Sequence, residues 1–328
     1  MSNHNRPDPI MNRFAVFALI LLCSLPSRAD EYPAKPIRLI VPSAAGGSVD
    51  RLARGIGRRL SERLGQPVVV DNRGGAGGTI ATEATATSKP DGYTILIGTI
   101  AGLATNVSLD KLRYDPLKDL APITLVGTQD YVLLVNPAVP ASSVKELIAL
   151  AKAKPKSLSY ASAGKGTGSH LSGELLSQLA GIELIHVAYK GMSPALTDVI
   201  GGQVSITFAS VASAIPMISA KKLKAIAVTG KKRSPLLPQV PTMIEAGVPG
   251  YESSTWYGFV APAATPQPIV DKLYKETAAT LREPDVRKIF TDEGIELVAS
   301  TPQEFKTFMA NEIDKWHKVI SHASMQAN

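Results

Sequence analysis

The feature that most constrains the fold is a recurring succession of short apolar runs and segments with helical periodicity. The run 37–41 ends at Pro42, and apolar residues then recur at helical spacing from Val49 to Leu64, where Gly65 ends the helix. The same pattern predicts further strands and helices, at 68–70, 93–97, 131–135, 157–161, 182–187, 204–208 and 223–228 (strands) and at 79–88, 143–154 and 169–180 (helices). This alternation predicts an α/β fold with a mostly parallel sheet.

The amino end has the features of a secretory signal peptide. Arg6 and Arg13 precede an uncharged apolar run, 14–25, which is shorter than the roughly 20 residues of a membrane span. Ser27-Arg28-Ala29 then offers small residues at the first and third positions of a cleavage site. We expect residues 1–29 to be removed near Ala29 and the mature protein to be periplasmic; the alternative reading is a membrane anchor.

Composition excludes several classes of protein. The chain has a formal net charge of +7, but its lysines and arginines do not cluster into a basic surface that would bind nucleic acid. The single cysteine, Cys23, lies inside the predicted signal, so the mature chain has neither a disulfide nor a thiol nucleophile. Aromatic residues make up only 5% of the chain, which disfavours the stacking platforms of a sugar site.

The motifs of catalysis are also absent. The chain has no G-x-S-x-G nucleophile elbow, no Walker loop and no complete dinucleotide fingerprint, and its five histidines lack metal-ligand spacing. We therefore predict no catalytic residue, metal or cofactor. The protein is expected to be a monomer that binds a small molecule rather than an enzyme.

Two strand-to-helix junctions have similar chemistry. One runs from Val41 through Ser43, two alanines and two glycines to Asp50, and the other runs from Tyr160 through small residues and three glycines to His170. Small residues allow a ligand to approach the backbone closely. A helix start offers unpaired N–H groups and a partial positive charge, which bind anions without a basic side chain. Two such loops facing each other would clamp a carboxylate.

The sequence resembles the Bug/TctC family of periplasmic solute-binding proteins of tripartite tricarboxylate transporters. The resemblance covers nearly the whole mature chain and rests on eight segments in order, Tyr32–Ile37, Gly46–Arg51, Asn72–Gly78, Lys89–Thr94, Gly166–Leu171, Tyr189–Gly191, Gly201–Val204 and Pro241–Gly247.

This resemblance implies a periplasmic-binding-protein type II-like fold, with two α/β lobes around a central cleft and two crossings between the lobes. The first lobe would combine 31–130 with 257–328, and the second would hold 131–256. In the family, backbone amides and bridging waters hold the ligand carboxylate. That role falls here on Ala44, Gly46 and Gly47 in the first lobe and on Thr167, Gly168 and Ser169 in the second.

Three further residues enter the expected site. Asp50 matches the family's acid after the double glycine, although a carboxylate in a first helical turn also stabilises the helix dipole. His170 is expected to be packed or hydrogen-bonded rather than in contact with the ligand. Ser205 and Ser210 stand where the family commonly has acidic or polar residues, so we expect a ligand without an ammonium group, provided that Ser205 faces the cleft.

The expected ligand is thus a small organic acid, such as a di- or tricarboxylate. The sequence leaves its identity open. It also leaves open whether the protein delivers the ligand to membrane permease subunits or reports it to a sensor kinase.

Overall fold

A computed structural model describes residues 32–46 and 48–322, and in these ranges ten strands join into one sheet. The predicted signal peptide, with Cys23, and Gly47 lie outside the described residues. The described residues from 35 onwards belong to one compact unit.

The strands are short except for one. Their order across the sheet is β2-β1-β3-β9-β4-β7-β5-β6, and β8 and β10 also pair with β4. The bounds are β1 Ile37–Val41, β2 Val68–Asn72, β3 Thr94–Thr99, β4 Leu120–Val135, β5 Ser159–Ser162, β6 Ile185–Ala188, β7 Ile206–Ser210, β8 Lys224–Val228, β9 Ser254–Pro262 and β10 Ile295–Leu297.

Helices follow most of the strands, as the α/β prediction requires, but the prediction of a mostly parallel sheet is wrong. Five of the nine strand pairings among the described residues are antiparallel, because the long β4 and β9 run against their neighbours. The bounds of the helices are α1 Ser48–Leu64, α2 Thr79–Ala86, α3 Asn106–Leu109, α4 Val144–Ala153, α5 Gly168–Ala180, α6 Met192–Ile200, α7 Val211–Ser219, α8 Gln267–Thr280, α9 Pro284–Glu293 and α10 Pro302–His322. A short 3-10 turn, Ala76–Gly78, and a π-helical turn, Ala101–Thr105, precede α2 and α3. Within the described ranges, none of the helices combines the length and the apolar character that a membrane crossing requires.

The long strand β4 joins two groups of strands. Residues 120–130 pair antiparallel with β9, whereas residues 131–135 pair antiparallel with β7 and β8. On one side β1 is parallel to β2 and β3, and on the other β5 is parallel to β6 and β7. The carboxyl ends of the parallel strands in each group therefore carry the loops that lead into helices.

The core follows from the apolar periodicity of these elements. The core-facing side of α10 carries Phe305, Met309, Trp316 and Ile320, all almost fully inaccessible to solvent. Its position is fixed by Glu312, whose carboxylate accepts hydrogen bonds from the indole nitrogens of Trp256 and Trp316 at 2.8 and 2.9 Å. This packing joins α10 to β9 and sets the layer of helices against the sheet.

Candidate functional site

Both predicted junctions lie at carboxyl ends of parallel strands. We call residues 42–48 the first loop and residues 162–168 the second loop; they connect β1 to α1 and β5 to α5. In open α/β sheets this is the edge at which ligands bind. The structure thus places the two loops where the sequence analysis expected them.

The first loop is exposed at Ala44, Ala45 and Gly46 and is held from below by Asp50. The Asp50 carboxylate accepts hydrogen bonds from the Gly46 amide at 2.8 Å, from Asn72 at 2.9 Å and from Arg54 at 3.0 Å. Burial opposes its ionisation, but these hydrogen bonds outweigh burial and lower the pKa of Asp50 to about 2. Asp50 is therefore a charged anchor beneath the loop, and the Gly46 amide is already engaged.

A second ionic anchor reaches the same loop from α9. Glu293 accepts hydrogen bonds from Ser48 at 2.7 Å and from Arg51 at 2.6 Å. Arg51 also donates to the Gly46 carbonyl at 2.7 Å, so both polar groups of the Gly46 backbone are held. Charged side chains on α1 and α9 thus fix the shape of an exposed loop.

The second loop is held by neutral hydroxyl groups. The Ser169 hydroxyl accepts from the Ala163 amide at 3.0 Å, and Thr167 donates to the Gly164 carbonyl at 2.7 Å. The Ser162 hydroxyl accepts from the Gly164 amide at 3.2 Å. Because these residues are buried or half-buried, uncharged partners satisfy the backbone without desolvating an ion.

His170 also supports this loop. Its Nδ1 accepts a hydrogen bond from the Gly166 amide at 3.0 Å, and its side chain is nearly inaccessible. This confirms the expectation that His170 is a buried, hydrogen-bonded residue.

The start of α5 is buried but has no side-chain cap. Thr167 occupies the N-cap position, but its side chain makes no capping hydrogen bond, so the first-turn amides of Gly168 and Ser169 have no capping side chain. A Cβ atom on Gly168 would lie 2.5 Å from the phenol oxygen of Tyr131, which leaves space there only for glycine. Tyr131 and this helix start were not connected by any sequence pattern.

The two predicted serines of β7 are separated by the structure. Ser210 lies at the carboxyl end of the strand, where its hydroxyl bonds Ser213 at 2.9 Å and caps α7. Ser205 precedes the amino end of β7 and exchanges hydrogen bonds with Ser159, at 3.2 and 3.3 Å. The condition that Ser205 faces the cleft is therefore not met, and the inference about an ammonium group loses its basis.

The groups of strands meet near the second loop. Thr105, which follows β3, donates a hydrogen bond to the Gly166 carbonyl at 2.8 Å. Asn106 donates to the Thr79 hydroxyl at 2.9 Å and to the Ala76 carbonyl at 3.3 Å. Sequence analysis missed both residues, because they lie in a short π and α turn with no periodic signal.

Among the described residues, no cluster of three or more acidic, histidine or cysteine side chains could hold a metal ion. What the two loops offer is therefore backbone N–H groups and a helix start. This arrangement can bind an anion.

Comparison with known proteins places this arrangement in a family. The profile of the "Tripartite tricarboxylate transporter family receptor", TctC, matches residues 52–325. Protein BugT of Bordetella pertussis is 39% identical over 297 residues, which cover 90% of this chain and 91% of BugT.

Solved structures agree. The R. palustris protein Rpa4515, solved with adipate, is 37% identical with a TM-score of 0.83 over 90% of this chain and 99% of its own. MatC from Rhodopseudomonas palustris, with bound malate, is 33% identical with a TM-score of 0.80 over 88% of this chain and 100% of its own. These similarities confirm the expected periplasmic-binding-protein fold. The chain belongs to the TctC, or Bug, family of solute-binding receptors.

Proposed function

We propose that this protein captures a small organic acid in the cleft between its lobes and delivers it to the permease subunits of a tripartite tricarboxylate transporter. The observation that carries the proposal is the start of α5, whose first-turn amides have no capping side chain while hydroxyl and imidazole groups hold the loop before it. Such a helix start stabilises a carboxylate through N–H donors and the helix dipole.

A second anionic group of the ligand has candidate partners too. Gly78 and Gly191 occupy the N-cap positions of α2 and α6 and cannot cap those helices with a side chain. Both helices begin after carboxyl ends of strands, as α5 does. A ligand with two carboxylates suits this arrangement, and the relatives solved with adipate and malate hold dicarboxylates.

Within this proposal the predicted site residues have different roles. Gly168 and Ser169 supply the amides at the start of α5, and Thr167 is the residue before them. Ala44 and Gly47 are the proposed contacts from the first loop. Asp50 and the engaged Gly46 amide shape that loop from within. Ser210 lies at the cleft edge of β7, and Ser205 is left out.

The proposed lobes are 31–130 with 257–328, and 131–256. The pairing of β4 supports this division, because its partners change between residues 130 and 131. The return crossing would lie near the start of β9.

Calorimetry and thermal denaturation of the purified mature protein test the binding proposal. Malate, adipate and citrate form the carboxylate set, with aspartate and glucose as controls for an ammonium-bearing and a neutral ligand. We expect a rise in melting temperature and a saturable heat with at least one of the carboxylates. A response to glucose, with none to any of the carboxylates, would contradict the proposal.

We also propose that the protein is exported and that residues 1–29 are removed. Mass spectrometry of a periplasmic extract should then find a mature chain beginning near Asp30. Recovery of the intact amino end in the membrane fraction would contradict export as a free protein.

A further inference from the structure

Three aromatic rings, of which Tyr160 and His170 are buried and His186 is half-buried, form a stack behind the second loop. We call Tyr160, His186 and His170 the histidine stack. The rings of His170 and His186 lie 4.0 Å apart at an interplanar angle of 18°, and those of His186 and Tyr160 lie 4.8 Å apart at 23°. The register of the parallel strands β5 and β6 pairs Tyr160 with His186. His170, on α5, lies close to both rings, with its centroid 6.3 Å from that of Tyr160.

Both histidines use a ring nitrogen to hold the second loop. The Gly166 amide donates to Nδ1 of His170 at 3.0 Å. Nε2 of His186 shares a hydrogen bond with the Ser162 hydroxyl at 2.7 Å, and that hydroxyl accepts from the Gly164 amide. The stack therefore contacts the loop at two points, one near each end.

The hydrogen bond from Gly166 determines which ring nitrogen of His170 carries the proton. Because an N–H group donates to Nδ1, this nitrogen must be unprotonated, so the neutral ring carries its proton on Nε2. Nε2 lies 3.8 Å from a carboxylate oxygen of Glu174, which also accepts a hydrogen bond from the Tyr160 hydroxyl.

The surroundings favour neutral rings. The titratable groups around His170 are Glu174 on its own helix, Tyr160 on β5, His186 on β6 and Lys165 in the loop. Burial, then the neighbouring His186 and Lys165, lower the pKa of His170 to about 3. Burial lowers the pKa of His186 to about 4.

Gly166 is held from its other side as well. Its carbonyl accepts from Thr105, and a Cβ atom on Gly166 would collide with the Asn106 side chain. Its φ of +77° is one that glycine adopts without strain. The position of this peptide thus depends on an imidazole acceptor on one side and on a hydroxyl donor on the other.

We propose that His170 and His186 are positioning residues for ligand binding: as neutral hydrogen-bonding rings, they hold the second loop so that the amides at the start of α5 face the carboxylate. This inference rests on the proposed function. It assigns the rings a role beyond filling the core, because their ring nitrogens carry the effect and a ring of similar size without nitrogen cannot replace them.

Two variants of the mature protein separate these roles. His170→Phe keeps a stacked ring and removes the acceptor, whereas His170→Asn offers an amide oxygen close to the position of Nδ1. We expect His170→Phe to bind malate or adipate about tenfold more weakly, the loss of one buried hydrogen bond. His170→Asn should stay within about threefold of the unsubstituted protein.

Nitrogen-15 NMR of the unsubstituted protein supplies a readout that needs no ligand. We expect His170 to be the neutral tautomer protonated on Nε2 at pH 7, and the Gly166 amide to exchange slowly with solvent. A proton on Nδ1, or rapid exchange at Gly166, overturns the inference, as does a folded His170→Phe variant that binds normally.

The two proposals can fail separately. If the unsubstituted protein binds neither malate nor adipate, nor any other carboxylate, the proposed function fails. The tautomer and the exchange rate then still decide whether His170 holds the loop. If His170→Phe does not fold, the same NMR measurement and the His170→Asn variant decide the inference.

Discussion

The two loops of the site have similar sequences but different supports. The first is exposed and is held by ions: Asp50 and Glu293, with arginines of α1, fix both polar groups of the Gly46 backbone. The second is largely buried and is held by hydroxyls and neutral imidazoles. The carboxylates of Asp50 and Glu293 are themselves buried, and each is compensated by a half-exposed arginine that pairs with it. Hydroxyls and neutral rings hold the second loop without the cost of burying a charge.

This contrast has a consequence for ligand binding. The groups that bond the backbone of the second loop are uncharged, so the dipole of α5 and the exposed Lys165 supply the positive potential there. The ionised Asp50 is instead neutralised by Arg54 and lies beneath its loop. The backbone hydrogen bonds of each loop are thus satisfied without an unpaired negative charge facing the ligand.

The largest predicted effect is a loss of folding stability on mild acidification, which should arise at the second loop and not at the first. The pKa values of His170 and His186, about 3 and 4 when folded, stand near 6.5 in the unfolded chain. Between these values the unfolded chain binds more protons, so the free energy of unfolding falls as the pH falls. From pH 7 to pH 5 we expect a loss on the order of 2 kcal/mol for each ring. Asp50, with a pKa of about 2 against 3.8, keeps its contribution until about pH 4 and loses it below.

Urea denaturation at pH 7 and pH 5 measures this effect. The control is the double variant His170→Asn/His186→Gln, in which the pH dependence should be markedly flatter. Asp130, whose pKa burial and then Glu296 and Glu252 raise to about 6, contributes with the opposite sign, so the difference between the two proteins is the quantity to compare. If the free energy of unfolding changed equally with pH in the two proteins, the histidine stack would not titrate as described.

The next largest effect should come from Gly168→Val. A Cβ atom there meets the oxygen of Tyr131 at 2.5 Å and a ring carbon at 2.8 Å, so the start of α5 must shift. We expect the free energy of unfolding to fall by about 3 kcal/mol, as in overpacked cores, and carboxylate binding to be lost. The matched control is Gly46→Ala in the first loop, where φ is +83° and no atom lies within 4 Å of the added carbon. It should lower the free energy of unfolding by only about 1 kcal/mol, and equal effects would contradict the contrast in packing.

A smaller effect is expected for Asp50→Ala. The change leaves the Gly46 amide and Asn72 without their acceptor and should lower the free energy of unfolding by about 2 kcal/mol. This value is at the lower part of the range for charged hydrogen bonds, because Arg54 is half exposed and water screens it. Denaturation at pH 7 measures it, and Asp50→Asn, which keeps an acceptor, should recover part of the loss. No change in either variant would show that the first loop holds its shape unaided.

Much of the fold could be predicted from local patterns. The strand at 37–41 and the helix that follows it match the prediction. The helix predicted at 143–154 is capped by Ser143, whose hydroxyl accepts a hydrogen bond from the Glu146 amide, while the Glu146 carboxylate accepts one from the Ser142 amide. Strands β5 and β7 begin two residues later than predicted, because Leu158 and Val204 are buried although they precede the strands. That displacement is why Ser205 was placed in β7.

Other parts had no local signal. The first half of β4 was missed because Pro122, Gly127 and Gln129 interrupt its apolar run. The pairing of β4 with β9 also shifts register next to Pro122 and next to Gly127. Strand β9 was also missed. The supports of the first loop are equally invisible in sequence, since Ser48 and Glu293 are 245 residues apart and meet only through the packing of α1 against α9. Sequence therefore located the loops, and the tertiary structure determined how each is held.

The smallest effect is expected for Lys165→Ala, which asks whether a side-chain charge or the backbone holds the ligand. Lys165 is the basic side chain of the second loop, and it is exposed, so water screens its attraction for an anion. We expect affinity for malate or adipate at pH 7 to change by less than about threefold. Calorimetry decides this, with Lys190→Ala as a matched substitution of an exposed lysine after β6. Because Lys165 lowers the pKa of His170, its removal should also make the loss of stability at pH 5 slightly smaller. Abolished binding in Lys165→Ala alone would replace the backbone site with a salt bridge, and the neutral support of the second loop would then need another explanation.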